Sequence, residues 1–367
     1  MAEFQKKVLL FICFMVALSN NGFISQSLAD EINKCTNSET IIKTSKDNKK
    51  SKQESTDLQI VVCRGAKTFV SNITNLNKAN IYYTDVSNFE DGELLVKIKD
   101  ETVITGKKVL IIQSISGDTN DALMELIFTM NIVHSLGAKE IYILITYLGY
   151  SRQDRVEKVS DAFSGKIVAD LLSQPYINKI FLVKLHSSQI QGFFNIPCIN
   201  INTDEFFIED IKQKYKVSDI VLVAPDVGAA KSIIKISKIM DNADFCIAMK
   251  YRPEAGKNEI LAITGNNVKD KICIIVDDMV DSAGTLCNVA EKLREQGAQK
   301  VVAYTTHPVF SKKAIGRIKD SVMRELIISD TIDSKDKIAS CDKVKIISIA
   351  DWCMQKVLWH LEPVFKH

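Results

Sequence analysis

Residues 272–276, Ile-Cys-Ile-Ile-Val, are followed at once by Asp277 and Asp278, and then by Asp281, Ser282, Ala283, Gly284 and Thr285. The apolar run is too short for a helix of its own and reads as a central strand of a parallel sheet. Such strands belong to α/β folds, which place ligands at the carboxyl ends of their strands. The small residues 282–285 leave little side chain in the way, so successive backbone N–H groups can turn towards a phosphate where the next helix begins. Asp277 and Asp278 would repel that phosphate and need another task. Carboxylates accept from the two hydroxyls of a ribose, or bind a magnesium ion attached to it. An ordinary strand-to-helix turn explains a lone acidic pair; three acids with a small-residue loop describe a site for a phosphorylated sugar.

The same grammar of strand, helix, stop and strand occurs twice. Residues 59–63 and 108–114 read as strands, and between 119 and 136 the apolar positions Leu123, Leu126, Ile127, Met130 and Val133 fall at helical spacing. Asp118 or Thr119 would cap that helix and Gly137 stop it, before a strand over 140–146. Strand 272–276, a helix over 284–295, the stop Gly297-Ala298 and strand 301–305 repeat the arrangement. The expectation is a duplicated α/β domain, with units over 57–203 and 204–367 and a last helix able to pack back on the first unit. Only the second copy carries the acidic loop. The first has Gln113-Ser114-Ile115-Ser116 there, so it must supply something else.

At 367 residues the chain exceeds what one core usually organises. A net charge of +2 gives no basic field, which argues against a nucleic-acid partner. The nine cysteines are scattered, and Cys246 and Cys273 sit in strand-like runs where Cys acts as a small hydrophobe. Unpaired thiols point to a reducing compartment, the cytoplasm. The N-terminus points elsewhere: Lys6 and Lys7, the apolar run 8–18 and Ser27-Leu28-Ala29 match a signal peptide better than a membrane span. Residues 30–56 are polar and aperiodic, and read as a disordered leader. Import into an organelle is the alternative, with no membrane partner for the mature domain.

Asp277-Asp278-Met279-Val280-Asp281-Ser282-Ala283-Gly284-Thr285 resembles the ribose-phosphate signature of the phosphoribosyltransferase superfamily. Further stretches narrow the resemblance: residues 147–155 with Arg152-Gln153, residues 120–126, residues 185–194 with His186, Pro225-Asp226-Val227-Gly228, and Thr306-His307-Pro308. Each is similar to a signature of ribose-phosphate diphosphokinases, in unbroken order from about residue 58. The resemblance implies transfer of a diphosphoryl group from Mg-ATP to ribose 5-phosphate. It assigns ATP to Phe89, Asp91, Gly92, Glu93, Arg152 and Gln153, the first four reaching into a neighbouring subunit of a hexamer. It assigns the Mg²⁺ cofactor to His186 and Asp226, and catalysis to Lys250 and Arg252 on a mobile loop broken by Pro253 and Gly256. Ribose 5-phosphate falls to Arg252, Asp277, Asp278, Asp281, Ser282, Ala283, Gly284 and Thr285.

The chain departs from that pattern in places. Lys184 stands where Asp is usual before Leu-His, Tyr251 and Ser232 replace Arg, and Ala283 replaces Gly. Ala283 is expected to have negative φ, since its Cβ lies where backbone approaches phosphate. Residues 156–166 contain Glu157 and Asp161 and few cations, so control by phosphate or ADP is not expected. Two other functions fit part of the pattern: a regulatory subunit of an active homologue, and a phosphoribosyltransferase, which leaves the first half without a purpose.

Overall fold

The computed structural model describes residues 58–74, 80–99, 102–254, 257–311 and 313–361, with side chains described outside 250–261. The signal-like and leader segments fall outside the described residues. The first half contains β1 (Leu58–Val62), α1 (Lys67–Ser71), β2 (Asn80–Asn88), β3 (Leu94–Ile98), β4 (Lys108–Ser114), α2 (Thr119–Ser135), β5 (Glu140–Tyr147), α3 (Ser164–Leu172), β6 (Lys179–Val183) and β7 (Cys198–Ile201). The second contains α4 (Asp204–Lys214), β8 (Ile220–Ala224), α5 (Ala230–Ile239), β9 (Phe245–Glu254), β10 (Lys257–Gly265), β11 (Ile272–Val280), α6 (Gly284–Glu295), β12 (Lys300–Pro308), α7 (Ala314–Asp320), β13 (Glu325–Ser329), α8 (Lys335–Ile338), β14 (Val344–Ile347) and α9 (Ala350–Leu361).

Each half forms a seven-stranded sheet, in the orders β3-β2-β1-β4-β5-β6-β7 and β10-β9-β8-β11-β12-β13-β14. The second order is the first shifted by seven, so the duplication read from the sequence is a duplication of topology. Every pairing is parallel except the edge hairpins β2/β3 and β9/β10. Central strands buried on both faces account for the continuous apolar runs that made them legible: in β1, β4, β8 and β11 the residues Ile60, Ile111, Leu222 and Ile274 are wholly buried.

Helix α9 closes the outer face of the first sheet although it ends the second half. Ile349, Ala350, Cys353, Met354 and Val357 share a core with Leu58, Ile60, Val62, Leu110 and Ile112. Thr74 anchors its first turn, donating from its N–H and Oγ1 to the two carboxylate oxygens of Asp351 at 2.8 and 2.6 Å. A polar seam joins the carboxyl ends of the two sheets. Thr331 O accepts from Ser114 Oγ at 3.0 Å and from Thr146 Oγ1 at 2.7 Å, and the hydroxyls of Thr203 and Thr306 lie 2.7 Å apart. Because these groups are buried, each bond also avoids the cost of a stranded polar atom.

Lys250 and Arg252, expected on a loop, lie in β9, where Lys250 pairs with Ile260 and Tyr251 with Glu259 of β10. The parallel pairing of β9 with β8 covers only Phe245, Cys246 and Ile247. At Pro253 the strand therefore has a neighbour on one side only, and the missing N–H of proline costs little there.

Candidate active site

Strand β11 runs further than the sequence implied, to Val280, so Asp277 and Asp278 lie within it. Its pairing with β8 ends at Ile275↔Val223, whereas pairing with β12 continues through Asp277↔Thr305 to Val280↔Pro308. The two carboxylates thus sit on an edge that β8 leaves open. Asp226 lies just beyond the end of β8, and its Oδ1 accepts from the Ala229 N–H at 3.1 Å.

Charge in this group is crowded. Burial, together with the carboxylates of Asp278 and Asp226, raises the Asp277 carboxyl well above its ordinary range. Burial opposes ionisation of Asp278 as well, yet its bond to His186 wins and holds it below the usual carboxylate value. The His186 Nδ1 and Asp278 Oδ2 atoms are 2.8 Å apart, and that bond raises the histidine in turn. His186 lies past the end of β6, which stops at Val183, and comes from the first half to meet an acid of the second. Asp226 is instead a neighbour of Asp277. A carboxyl held above its range by burial and crowded by other carboxylates is where a divalent cation is favoured. Among the described residues no three His, Cys, Asp or Glu side chains form a ready-made metal cage. The donors fit Mg²⁺, which takes one or two carboxylates and completes its shell from phosphate and water.

The loop after β11 has a consistent orientation. Four successive carbonyls are occupied: Val280 O by the Phe310 N–H, Asp281 O by the Ser311 N–H, Ser282 O by Arg317 Nη1 and Ala283 O by the Cys287 N–H, at 3.1, 3.0, 2.9 and 3.0 Å. In a trans peptide the N–H points opposite to the C=O. Each amide of Asp281, Ser282, Ala283 and Gly284 therefore points away from the group that binds the carbonyl before it, and the Gly284 N–H meets Ser282 Oγ at 3.4 Å. Contrary to expectation, Ala283 has φ +60°. The left-handed residue is what lets the chain turn from strand to helix here with its amides on one side, as in anion-binding nests. Its Cβ is buried in the core with Leu286 and Phe310, away from the amide edge. Arg317, on α7, was missed by sequence reasoning: it is far along the chain, and no local motif marks it.

Arg152 and Gln153 follow β5. Gln153 Oε1 accepts from Ser164 Oγ at 2.6 Å. Arg152 Nη1 is 2.8 Å from Asp281 Oδ2, which joins the first half to the small-residue loop. Both residues line an open cleft of about 990 Å³, with Asn120 and Tyr150 from the same half and Val309 and Lys337 from the other. Phe89, Asp91, Gly92 and Glu93 do not line it. They form the tight turn between β2 and β3, closed by Phe89 N–H to Glu93 O at 2.8 Å and allowed by Gly92 at φ +94°, with Phe89 53% exposed.

These features define a duplicated, doubly wound α/β protein whose two halves share a site of acids, amides and a guanidinium. Residues 58–175 match the family model described as the N-terminal domain of ribose phosphate pyrophosphokinase, and residues 250–358 match the phosphoribosyl synthetase-associated domain. A ribose-phosphate pyrophosphokinase from Hyphomonas neptunium is 38% identical over 293 residues, 80% of this chain and 93% of that protein. One from Marinomonas is 41% identical over 267 residues, 72% of this chain and 84% of that protein. The crystal structure of phosphoribosylpyrophosphate synthetase from Mycobacterium smegmatis superposes with a TM-score of 0.75 at 26% identity, covering 83% of this chain and 98% of that one. The chain belongs to the ribose-phosphate pyrophosphokinase family of enzymes. Among the described residues no helix is long and apolar enough to cross a membrane.

Proposed function

We propose that the protein transfers the diphosphoryl group of Mg-ATP to the C1 hydroxyl of ribose 5-phosphate, giving phosphoribosyl pyrophosphate and AMP. The bond between the C1 oxygen and the β-phosphorus forms, and the bond from that phosphorus to the oxygen bridging to the α-phosphorus breaks. That oxygen leaves with AMP and the hydroxyl proton passes to solvent. The loop of Asp281, Ser282, Ala283, Gly284 and Thr285 receives the 5-phosphate, and Asp277 and Asp278 hold the ribose hydroxyls. Arg152 and Gln153 hold the nucleotide in the cleft. Lys250 and Arg252, on β9, compensate charge on the group in transit, a role in which a positioned cation is worth about 10³ to 10⁵ in rate.

Asp226, with His186, would hold the magnesium ion, which supplies charge neutralisation and orientation of the phosphates. The exposed turn carrying Phe89, Asp91, Gly92 and Glu93 serves the nucleotide site of a neighbouring subunit in a hexamer; its exposure and its absence from this chain's own cleft support that reading. The product is a precursor for nucleotide biosynthesis.

The observation that carries this function over a simple phosphoribosyltransferase is the Arg152–Asp281 contact, because it brings a nucleotide-side cation to the sugar-phosphate loop. Purified full-length protein should form AMP from ATP only when both ribose 5-phosphate and Mg²⁺ are present. Binding of ribose 5-phosphate without AMP at any magnesium concentration would establish the regulatory-subunit alternative instead.

A further inference from the structure

Lys184 is a charged residue in an unusual place. Its side chain is 13% exposed and pairs with Asp204, whose carboxylate is 6% exposed. Lys184 Nζ also donates to Asn202 Oδ1 at 3.1 Å, while Ser232 Oγ donates to the second oxygen of Asp204 at 3.0 Å. The backbone of Lys184 is left-handed, with φ +40°, a state that a residue with a Cβ keeps only when its surroundings hold it there. They do so from three directions. The N–H donates to Ile201 O at 2.9 Å, the carbonyl accepts from His307 Nε2 at 2.8 Å, and the ammonium is fixed on Asp204. The next amide, of Leu185, donates to Asn200 Oδ1 at 3.1 Å. His186 follows, and its ring reaches Asp278 of the opposite half.

We propose that Lys184 is a positioning residue: its buried ion pair with Asp204 locks the left-handed turn that presents His186 to Asp278. A cation lodged near acids that serve catalysis would weaken the site if it pointed into it. It points instead to Asp204, so the ammonium holds the turn from behind while the main chain forms it. The two sequence departures at Lys184 and Ser232 meet on this one carboxylate. Asp204 takes its cation from position 184, while Ser232 offers only a hydroxyl. The proposal rests on the proposed function in so far as His186 and Asp278 serve the reaction, but its geometric content does not.

The test uses the full-length chain labelled with ¹⁵N-histidine, whose five rings are assigned with His186→Gln and His307→Gln. The double variant Lys184→Met with Asp204→Asn removes both charges together, a change that buried pairs often tolerate. The expected result is a cooperative fold with displaced ¹⁵N resonances for both His186 and His307. The enzyme should also lose about tenfold or more in kcat/KM. Lys184→Arg should restore the wild-type signals.

An unmoved His186 signal in the folded double variant would overturn the proposal. If the double variant does not fold, Lys184→Gln carries the test: a lowered thermal midpoint with an unmoved His186 signal would give Lys184 a purely structural role and overturn it equally. Wild-type protein that lacks synthetase activity while the His186 signal moves as expected would refute the function and leave the positioning role standing.

Discussion

His307 Nε2 lies 2.8 Å from the carbonyl oxygen of Lys184, and the imidazole is buried between the two halves with its Nδ1 3.0 Å from Thr331 Oγ1. The ring that donates to a carbonyl on one side can accept from the hydroxyl on the other, so it is satisfied as a neutral imidazole. Tyr147 packs edge-on against it at 5.0 Å.

Burial takes the His307 pKa down to about 4, against the pull of its backbone bond to Lys184 and of the Asp278 charge, with Lys184 adding to the depression. Below its ordinary value of 6.5 the unfolded chain binds a proton at this ring that the folded chain refuses until about pH 4. Stability therefore falls as pH drops through that interval, by up to ~3 kcal/mol from this ring alone. His186 works in the opposite sense, because Asp278 raises its pKa. Its contribution is present below the ordinary histidine pKa and is lost as pH rises through the raised one. The clean measurement is thus a comparison with His307→Gln, whose amide can still donate to Lys184 O. Urea unfolding from pH 7 to pH 4.5 should show the wild type losing about 1 to 3 kcal/mol more than the variant. Parallel losses would mean that His307 is not held neutral.

Arg152 should matter far more to binding than to folding. Its bond to Asp281 joins side chains 54% and 32% exposed, a setting in which an ion pair is worth about 0 to 1 kcal/mol. Arg152→Ala is expected to shift the thermal midpoint by no more than about 2 °C. The KM for Mg-ATP should rise about tenfold or more, as a guanidinium bound to phosphate oxygens would require. A fall in stability without a change in KM would make the residue a strut between the halves.

Much of this architecture was written locally in the chain. Strand β4 and helices α2 and α6 carry their own period, caps and stops, so residues 108–114 and 284–295 were read with the bounds the structure gives and α2 to within a residue. Strand β9 was misread because Pro253 and Gly256 look like breakers. Whether a proline breaks a strand depends on how many neighbours the strand has, and that is decided elsewhere in the sheet. The same limit applies at the site. The acids of β11 were visible as a cluster, but the partner of Asp278 comes from the other half, and the backbone sign at Ala283 depends on groups that bind carbonyls from the segment after β12 and from α7.

Ala283 offers a test in which two effects nearly cancel. Glycine in place of a left-handed alanine relieves about 1 kcal/mol of steric cost. It also removes a buried methyl group worth ~0.8 kcal/mol. Ala283→Gly should therefore change the unfolding free energy by less than about 0.5 kcal/mol, whereas Ala283→Val, which adds β-branching at φ +60°, should cost about 2 kcal/mol or more. Chemical denaturation of the two variants separates the outcomes. A marked destabilisation by glycine would show that the Cβ contacts outweigh the strain.

Arg317 carries the last prediction. Its Nη1 donates to Ser282 O at 2.9 Å, and a Cβ built on Gly284 would lie 3.6 Å from the same atom. The guanidinium thus sits beneath the loop, holding one of the four carbonyls that turn the amides outward. Its positive charge lies on the carbonyl side of the loop, behind the amides proposed to receive the sugar phosphate. Arg317→Ala leaves Ser282 O without this donor and lets the peptide between Ser282 and Ala283 rotate, which takes the Ala283 N–H out of the amide edge. The loop is exposed at Ser282, so water can replace the lost bond and the fold should lose no more than about 1 kcal/mol. The KM for ribose 5-phosphate should rise about tenfold or more, with that for Mg-ATP changed less than about threefold. Arg317→Lys should recover part of the loss through charge but not the geometry of the bond. Equal increases in both KM values would place Arg317 in the general closure of the two halves and not under the phosphate.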